Sequence, residues 1–359
     1  MFMPSNQRDD MSTRIAINGM GRIGRLIARR YATNPTAGIE LVAANDLFPT
    51  EDIAYLMRYD SVHGRAPFDV ESSVGSLRIG SREIAVHHER DPSKLPWKDE
   101  EVDLVLECTG LFRSREKAAM HLEAGASKVI VSAPSDNVDL SIVMGVNEGK
   151  YDPDKHDVVS NTSCTTNSLA PVAKVLNDAF GIEMLMATTV HAYTASQKLV
   201  DGPARKLRRG RAAAVSLVPT TTGAANATVR AIPELAGKMF ATAIRAPIPD
   251  GAITDVTAVL KQDVTAEMVN DALRTAAGGT MKGFLEVSED ELVSADIITN
   301  PASSIIDAPS TKVVGDRMVK VLAWYDNEYG FSCRMLDLAS YMAGKGGMRR
   351  ERKAEMVRA

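Results

Sequence analysis

"TRIAINGMGRIGRLIARRYA", residues 13 to 32, opens on an apolar run of strand length and passes through a glycine-rich turn into helical periodicity. Ile23, Leu26 and Ile27 carry the helical spacing, and Gly19, Gly21 and Gly24 spell G-x-G-x-x-G at the junction. Each glycine has a separate task there. The first permits the tight turn, the second lets the backbone approach a pyrophosphate, and the third allows close packing of helix on strand. The helix N-terminus supplies the anion site. The next strand-like run, "IELVAAND", ends in Asp46, 22 positions after Gly24, where a carboxylate should meet an adenosine ribose hydroxyl. The same charge would repel a 2′-phosphate, so the stretch predicts a site for NAD rather than NADP.

The alternation continues outward. "EDIAYLMRY" reads as a helix, residues 68–90 as a hairpin region broken by Gly-Ser pairs, and "VDLVLECTG", "REKAAMHLEAGA" and "KVIVSAP" as strand, helix and strand. Strand and helix in turn predict a doubly wound parallel sheet of Rossmann type. After residue 163 the character changes. A helix "TTNSLAPVAKVLNDAF" leads to longer strands around 184–192, 238–246, 252–260 and 317–325, with a basic loop at 205–211 and a helix at 265–276. This predicts an α+β catalytic domain over residues 164–326. The first domain then spans residues 1–163 and is completed by a C-terminal helix in 327–359, with residues 1–12 an extension lacking the apolar core of a signal peptide.

Composition narrows the function classes. The 359 residues are 45% hydrophobic and 25% charged, an ordinary globular balance, and the net charge of −4 gives no sign of a nucleic-acid or anionic-membrane partner. No apolar run reaches the roughly 18 residues of a membrane span. Three cysteines without C-x-x-C spacing suggest a reducing compartment, so the cytoplasm is expected, and no metal-ligand pattern emerges.

The chemistry centres on "SNTSCTTNSLAP", residues 160–171. Hydroxyl and amide residues before an apolar run signal a helix start, and a thiol placed there meets unpaired N–H groups and the positive end of the helix dipole. Cys164 is thus a candidate low-pKa nucleophile, or alternatively a small buried residue beside a cap. "MATTVHAYT" puts His191 at the end of an apolar strand, where it could pair with the thiol or be a satisfied buried histidine. The other five histidines read as solvated or structural.

Taken together, "INGMGRIGR", "YDSVHG", "ERDPSKLPW", "SAPS", "SNTSCTTNSLAP", "TTVHAYT", "PTTTGAA" and "WYDNEYGFS" stand in one order that resembles the phosphorylating glyceraldehyde-3-phosphate dehydrogenase family, from about residue 13 to about 343. The resemblance implies Cys164 as nucleophile and His191 as its base. It implies NAD contacts at Arg22, Ile23, Asp46, Arg90, Thr109, Ser132 and Asn327, beside the glycines. For the attacking inorganic phosphate it implies Ser163, Thr165, Arg211, Thr222 and Gly223, and for the phosphate of glyceraldehyde 3-phosphate it implies Thr194 and Arg245. It also implies a homotetramer. The rest of the basic run (Arg205, Lys206, Arg208, Arg209) reads as a solvated or subunit-facing loop.

Departures from the family pattern are local. Met20 replaces a usual Phe, Cys108 a common Ser, and "RAPIPDGAITD" (245–255) the usual "RVPTPNVSVVD", with Arg245 kept. Leu47 after Asp46 and Gly202-Pro203 are compatible with NAD. Two other functions bracket the expectation. Erythrose-4-phosphate dehydrogenase is disfavoured by "PTTTGAA", and a non-catalytic dinucleotide-binding role is disfavoured by the Cys164–His191 pair.

Overall fold

The computed structural model describes residues 12–346. The expected N-terminal extension, apart from Ser12, and the C-terminal helix beyond residue 346 lie outside the described residues.

Nine strands form the first sheet, in the order 140–141, 158–160, 128–131, 104–107, 13–18, 39–45, 82–87, 76–79 and 70–73. The first seven run parallel, and the last two are added by antiparallel hairpins in the region where the Gly-Ser breaks stand. Buried on both faces, the central strands are near-continuous apolar runs, with Ile15, Ile17, Leu104, Leu106 and Ile130 fully enclosed. Each such side chain contributes roughly 1.5–3 kcal/mol on burial. The chain winds in both directions from Thr13–Asn18, which pairs with 39–45 on one side and 104–107 on the other. A crevice outside the carboxyl ends of such strands is where α/β sheets bind ligands.

The second sheet is mixed, in the order 218–221, 239–246, 182–192, 252–260, 318–325, 304–307 and 285–288, with 312–314 also paired to 318–325. The strand Ala252–Leu260 alternates buried and half-buried positions, so one face carries the core. The helices Cys164–Phe180 and Ala266–Gly278 supply the apolar residues that cover it, among them Leu169, Val172, Leu176, Val269 and Leu273. The chain then returns. In the helix Tyr329–Gly344, Phe331, Met335, Leu338 and Met342 join the core of the first sheet.

One expected helix is interrupted. "REKAAMHLEAGA" forms two short helical turns, Arg115–Ala118 and Met120–Glu123, separated at Ala119.

Candidate active site

The glycine turn is built as its spacing demands. Gly19 sits at φ +98°, and a Cβ there would lie 2.7 Å from the backbone nitrogen of Thr109. A Cβ on Gly24 would lie 2.0 Å from the Gly19 carbonyl oxygen, so only glycine lets the helix approach the strand. Gly21, the N-cap of the helix Arg22–Thr33, instead has open space where a Cβ would be. That is the opening a pyrophosphate needs. Asp46 closes the turn from the next strand, its Oδ2 accepting the Met20 N–H at 2.6 Å and its Oδ1 that of Phe48 at 3.1 Å.

Beneath the turn lies a buried polar network that the sequence did not announce. Trp97 Nε1 donates to His121 Nδ1 at 3.0 Å, which leaves the His121 proton on Nε2, facing Glu107 Oε2 at 3.1 Å. Asn18 also donates to Oε2, while Glu107 Oε1 accepts the backbone N–H and the hydroxyl of Thr109. Thr109 is thereby fixed against Gly19. Of the two readings open to His121, solvated or structural, the structure shows the structural one, since its side chain is fully buried.

The remaining dinucleotide candidates are placed unevenly. Arg22 leaves the helix start to pair with Asp60 and Glu328, Ile23 packs on the first core, Ser132 follows the strand Lys128–Val131, and Arg90 is exposed. Asn327 is buried, and its Oδ1 has no hydrogen-bond partner. An amide held ready in this way, together with the open space at Gly21, fits a bound dinucleotide.

At the chemical end, Ser163 is the N-cap, its hydroxyl accepting the Thr166 N–H at 3.1 Å, and Cys164 is the first residue of its helix. Just before it, Thr162 adopts φ +60°, a conformation costly for a β-branched residue. The turn is held by Ser160 Oγ, which accepts the Thr162 N–H, and by Asn167, whose Nδ2 reaches Asn161 O, Thr162 Oγ1 and Ser163 O. The thiol faces His191, with Sγ 3.3 Å from Nε2. Tyr325 supports both partners. Its hydroxyl meets Thr165 Oγ1 at 2.9 Å and Thr189 Oγ1 at 2.7 Å, and its ring lies edge-on to His191.

The geometry brings the pair together, while burial works against separating their charges. Burial pushes the Cys164 thiol up to about 11, against the opposing pull of Arg245 and of hydrogen bonds from Thr165. Burial, then Arg245, holds His191 down to about 3. Desolvation thus acts against the lowering that the helix start was expected to bring. The helix start alone does not offset desolvation of both groups.

The anion candidates divide in the same way. Thr222 Oγ1 accepts the Ala224 N–H, and Gly223 is the N-cap of the helix Ala224–Ala231. Thr194 lies beside Ser196 at 2.9 Å between hydroxyls, while the Thr165 side chain turns to Tyr325. Arg245 stands next to His191, because the strands Ile182–Ala192 and Met239–Ala246 pair in parallel with these two residues in register. Arg211 does not face the site. It is 68% exposed and pairs with Asp201 at 3.0 Å. Arg209 does the opposite: it donates to Thr220 Oγ1 and Ser196 Oγ, and its charge bears on both His191 and Arg245. Two basic residues two positions apart in one loop cannot be told apart by sequence.

A second cluster borders the site. His63, Asp250 and Asp326 bring donor atoms within 4.8 Å of one another, and His63 is also 3.4 Å from Glu328. His63 is thus structural, its side chain buried among carboxyl groups. Burial, then the charges of Asp326 and Glu328, pushes Asp250 well above the usual carboxyl range, so this group carries a proton at neutral pH.

A dinucleotide cradle at the switch point of one sheet, facing a helix-start thiol and its histidine at the end of an interior strand of another, is the plan of an NAD-dependent dehydrogenase working through cysteine. The comparisons with known proteins narrow the class. Residues 13–115 match the glyceraldehyde 3-phosphate dehydrogenase NAD binding domain, and residues 163–327 match the C-terminal domain of the same family. The chain is 53% identical over 336 residues to glyceraldehyde-3-phosphate dehydrogenase of Geobacillus stearothermophilus, covering 94% of this chain and all of the relative. It is 52% identical to glyceraldehyde-3-phosphate dehydrogenase 1 of Bacillus subtilis (strain 168), with the same coverage. The Kitasatospora aureofaciens glyceraldehyde-3-phosphate dehydrogenase is 52% identical over 335 residues, 93% of this chain and all of that one. The chain belongs to the glyceraldehyde-3-phosphate dehydrogenase family of NAD-dependent enzymes.

Proposed function

We propose that the protein oxidises glyceraldehyde 3-phosphate with NAD and inorganic phosphate to 1,3-bisphosphoglycerate, through a thioester on Cys164. The observation that carries this reading is the 3.3 Å approach of Cys164 Sγ to His191 Nε2 at a helix N-terminus. Gly19, Gly21, Gly24, Asp46, Thr109, Ser132 and Asn327 would hold the dinucleotide, with Arg90 at its exposed margin. Arg22 would act at the same end through Glu328. Bound NAD supplies the hydride acceptor.

The chain's own residues do the rest. His191 Nε2 takes the thiol proton as Sγ attacks the aldehyde carbon, and helix-start N–H groups with His191 Nε2–H stabilise the oxyanion of the hemithioacetal. His191 Nε2 returns its proton to that oxyanion, giving the hemithioacetal hydroxyl, and takes it back as the carbon is oxidised. A thioester remains. No carboxylate stands among its candidate anion ligands to activate water, so Ser163, Thr222, Gly223 and Arg209 seat a phosphate whose oxygen attacks the acyl carbon and releases the thiolate. Arg245 and Thr194 hold the phosphate of the substrate.

The division expected from sequence, residues 164–326 against the remainder, is the domain organisation proposed. A cytoplasmic homotetramer is the assembly we infer. It is supported by the exposed apolar row Met184, Met186 and Phe240, each about 60% exposed, on the open face of the second sheet, and by Leu199, Leu207, Val215 and Leu217 in the following loop. No described helix is long and apolar enough to cross a membrane.

NADH formation from glyceraldehyde 3-phosphate tests the reading. Sustained turnover should require phosphate and disappear in Cys164→Ser with NAD binding kept. Sustained turnover by Cys164→Ser would end it.

A further inference from the structure

We propose that Glu107 is the positioning residue of the dinucleotide cradle, one buried carboxylate that sets Gly19, Asp46, Arg90 and Thr109 together, so that affinity for NAD depends on it. The inference rests on the reading above that these four residues hold the dinucleotide. It adds a fifth, whose side chain is fully enclosed and acts only through them.

Every group facing this carboxylate has its polarity fixed from further away. The Glu89 backbone N–H donates to Asn45 Oδ1 at 2.8 Å, which turns Asn45 Nδ2 towards Asn18 Oδ1 at 2.7 Å. Asn18 must then present its own Nδ2 to Glu107 Oε2, 2.5 Å away. From the other side the Trp97 indole, a donor only, engages His121 Nδ1, so the His121 Nε2–H points at the same oxygen at 3.1 Å. The backbone N–H of Thr109 donates to Oε1 at 2.8 Å, and the Thr109 hydroxyl, which accepts the Leu111 N–H, donates there too. Two backbone N–H groups and an indole N–H cannot be reversed. Of the two side chains of this shape, Glu and Gln, only the carboxylate can accept from all four donors.

The members of this network stand directly beside the dinucleotide ligands. Asn18 precedes Gly19 in the chain, Asn45 precedes Asp46, Glu89 precedes Arg90, and Thr109 lies two residues beyond Glu107 itself. Backbone bonds tie the same segments, from the Gly19 N–H to Asn45 O at 2.8 Å and from the Cys108 N–H to Asn18 O at 2.7 Å. Oε1 thus holds Thr109 against the glycine turn, while Oε2 holds Asn18 and, through Asn45, the segment of Glu89 and Arg90. No lysine or arginine among the described residues pairs with Glu107, and His121 in this tautomer is uncharged. Four donors alone therefore offset a buried charge. A side chain that only filled the space between strand and helix would need no such charge. Here it gives ligands from four separate segments a common reference point.

The test is the isosteric Glu107→Gln, which keeps the packing but sets an amide N–H against the donors at one of the two oxygens. Its dissociation constant for NAD, measured by calorimetry, should rise about tenfold or more, equivalent to about 1.4 kcal/mol. The KM for glyceraldehyde 3-phosphate and the kcat at saturating NAD should change little, because Cys164 and His191 stand on other segments. Asn18→Asp combined with Glu107→Gln inverts the polarity and completes it again. The new amide donates to the new carboxylate, which also accepts from Asn45 Nδ2 and from His121 Nε2–H, 3.3 Å from the Asn18 amide nitrogen. This double variant should recover most of the lost NAD affinity. The proposal is overturned if folded Glu107→Gln binds NAD as wild type does, if its aldehyde KM and kcat suffer as much as its NAD binding, or if the double variant binds NAD no better than the single one. Melting temperature and circular dichroism establish folding. Should Glu107→Gln not fold, Asn45→Ala, which cuts only the Glu89 arm, decides: several-fold weaker NAD binding with the aldehyde KM kept upholds the proposal, and unchanged NAD binding overturns it. Normal NAD binding and turnover by the wild-type protein in the same preparation separate failure of the positioning role from failure of the catalytic reading.

Discussion

Replacing Asp250 by Asn should make the protein more stable, and increasingly so as pH rises. Asp250 stands where the family pattern has Asn, and it is only 2% exposed. Its Oδ1 accepts the Gly251 N–H at 2.9 Å, whereas Oδ2 makes no hydrogen bond and lies 3.5 Å from His63 Nε2. Facing it is Asp326, whose carboxylate accepts the N–H groups of Thr299, Glu328 and Tyr329. Those donors favour Asp326 as the ionised member, so the proton resides on Asp250. The folded pKa of Asp250 is raised, so its favourable contribution is full below the unfolded pKa and is lost as pH rises towards the folded one.

At pH 7 the unfolded carboxyl, with a pKa of about 3.9, is ionised. Keeping the folded one protonated costs about 1.4 kcal/mol per pH unit over roughly three units, or about 4 kcal/mol. Asn keeps the acceptor for Gly251 and needs no proton. Asp250→Asn should therefore gain up to about 4 kcal/mol at pH 7, about 1.5 at pH 5 and almost nothing near pH 4. Thermal unfolding of both proteins between pH 5 and 8, at one protein concentration, measures the difference. A melting-temperature difference that is flat across pH, or that favours the wild type at pH 7, would refute the assignment of the proton.

Asp46→Ala should weaken NAD binding by about 1.5–3 kcal/mol through loss of a charge-assisted hydrogen bond and raise relative use of NADP; an unchanged NAD:NADP ratio of kcat/KM would remove Asp46 from cofactor choice. Arg209→Leu should raise the KM for inorganic phosphate far more than that for the aldehyde, with little change in Arg211→Leu, because only Arg209 turns towards the site; steady-state kinetics of the two variants decides. Iodoacetamide should modify Cys164 before Cys108 or Cys333, since all three thiols are pushed up by burial but only Cys164 borders an imidazole; peptide mapping that finds equal rates would contradict this.

Much of the architecture was legible because it is local. Gly24 is required by a contact with Gly19 only five residues away, and Ser163 caps a helix that begins at the next residue. Alternating strands and helices carry their own periodicities, so the parallel sheet could be read from them. What depended on long-range register was hidden. The placing of Arg245 against His191 follows from pairing between strands 54 residues apart, and no local pattern reports it. The opposite directions of Arg209 and Arg211 follow from Thr220 and Asp201, which attract them from different sides of one loop. Sequence could not tell whether His63 and His121 are solvated or structural, because their carboxyl partners, Asp250, Glu328 and Glu107, come from distant segments or the neighbouring strand. Burial also works against the expected titration of Cys164, since sequence shows the helix start but not the desolvation around it.

The account rests most heavily on a thioester at Cys164 that phosphate, and not water, discharges. Mixing the protein with NAD and glyceraldehyde 3-phosphate in phosphate-free buffer, then measuring NADH and intact mass together, tests it. One NADH per subunit should appear in a burst, with one phosphoglyceroyl group mapped to Cys164, and added phosphate should remove that group and restore turnover. Rapid, continuous NADH formation without phosphate, or an acyl group on any other residue, would contradict it.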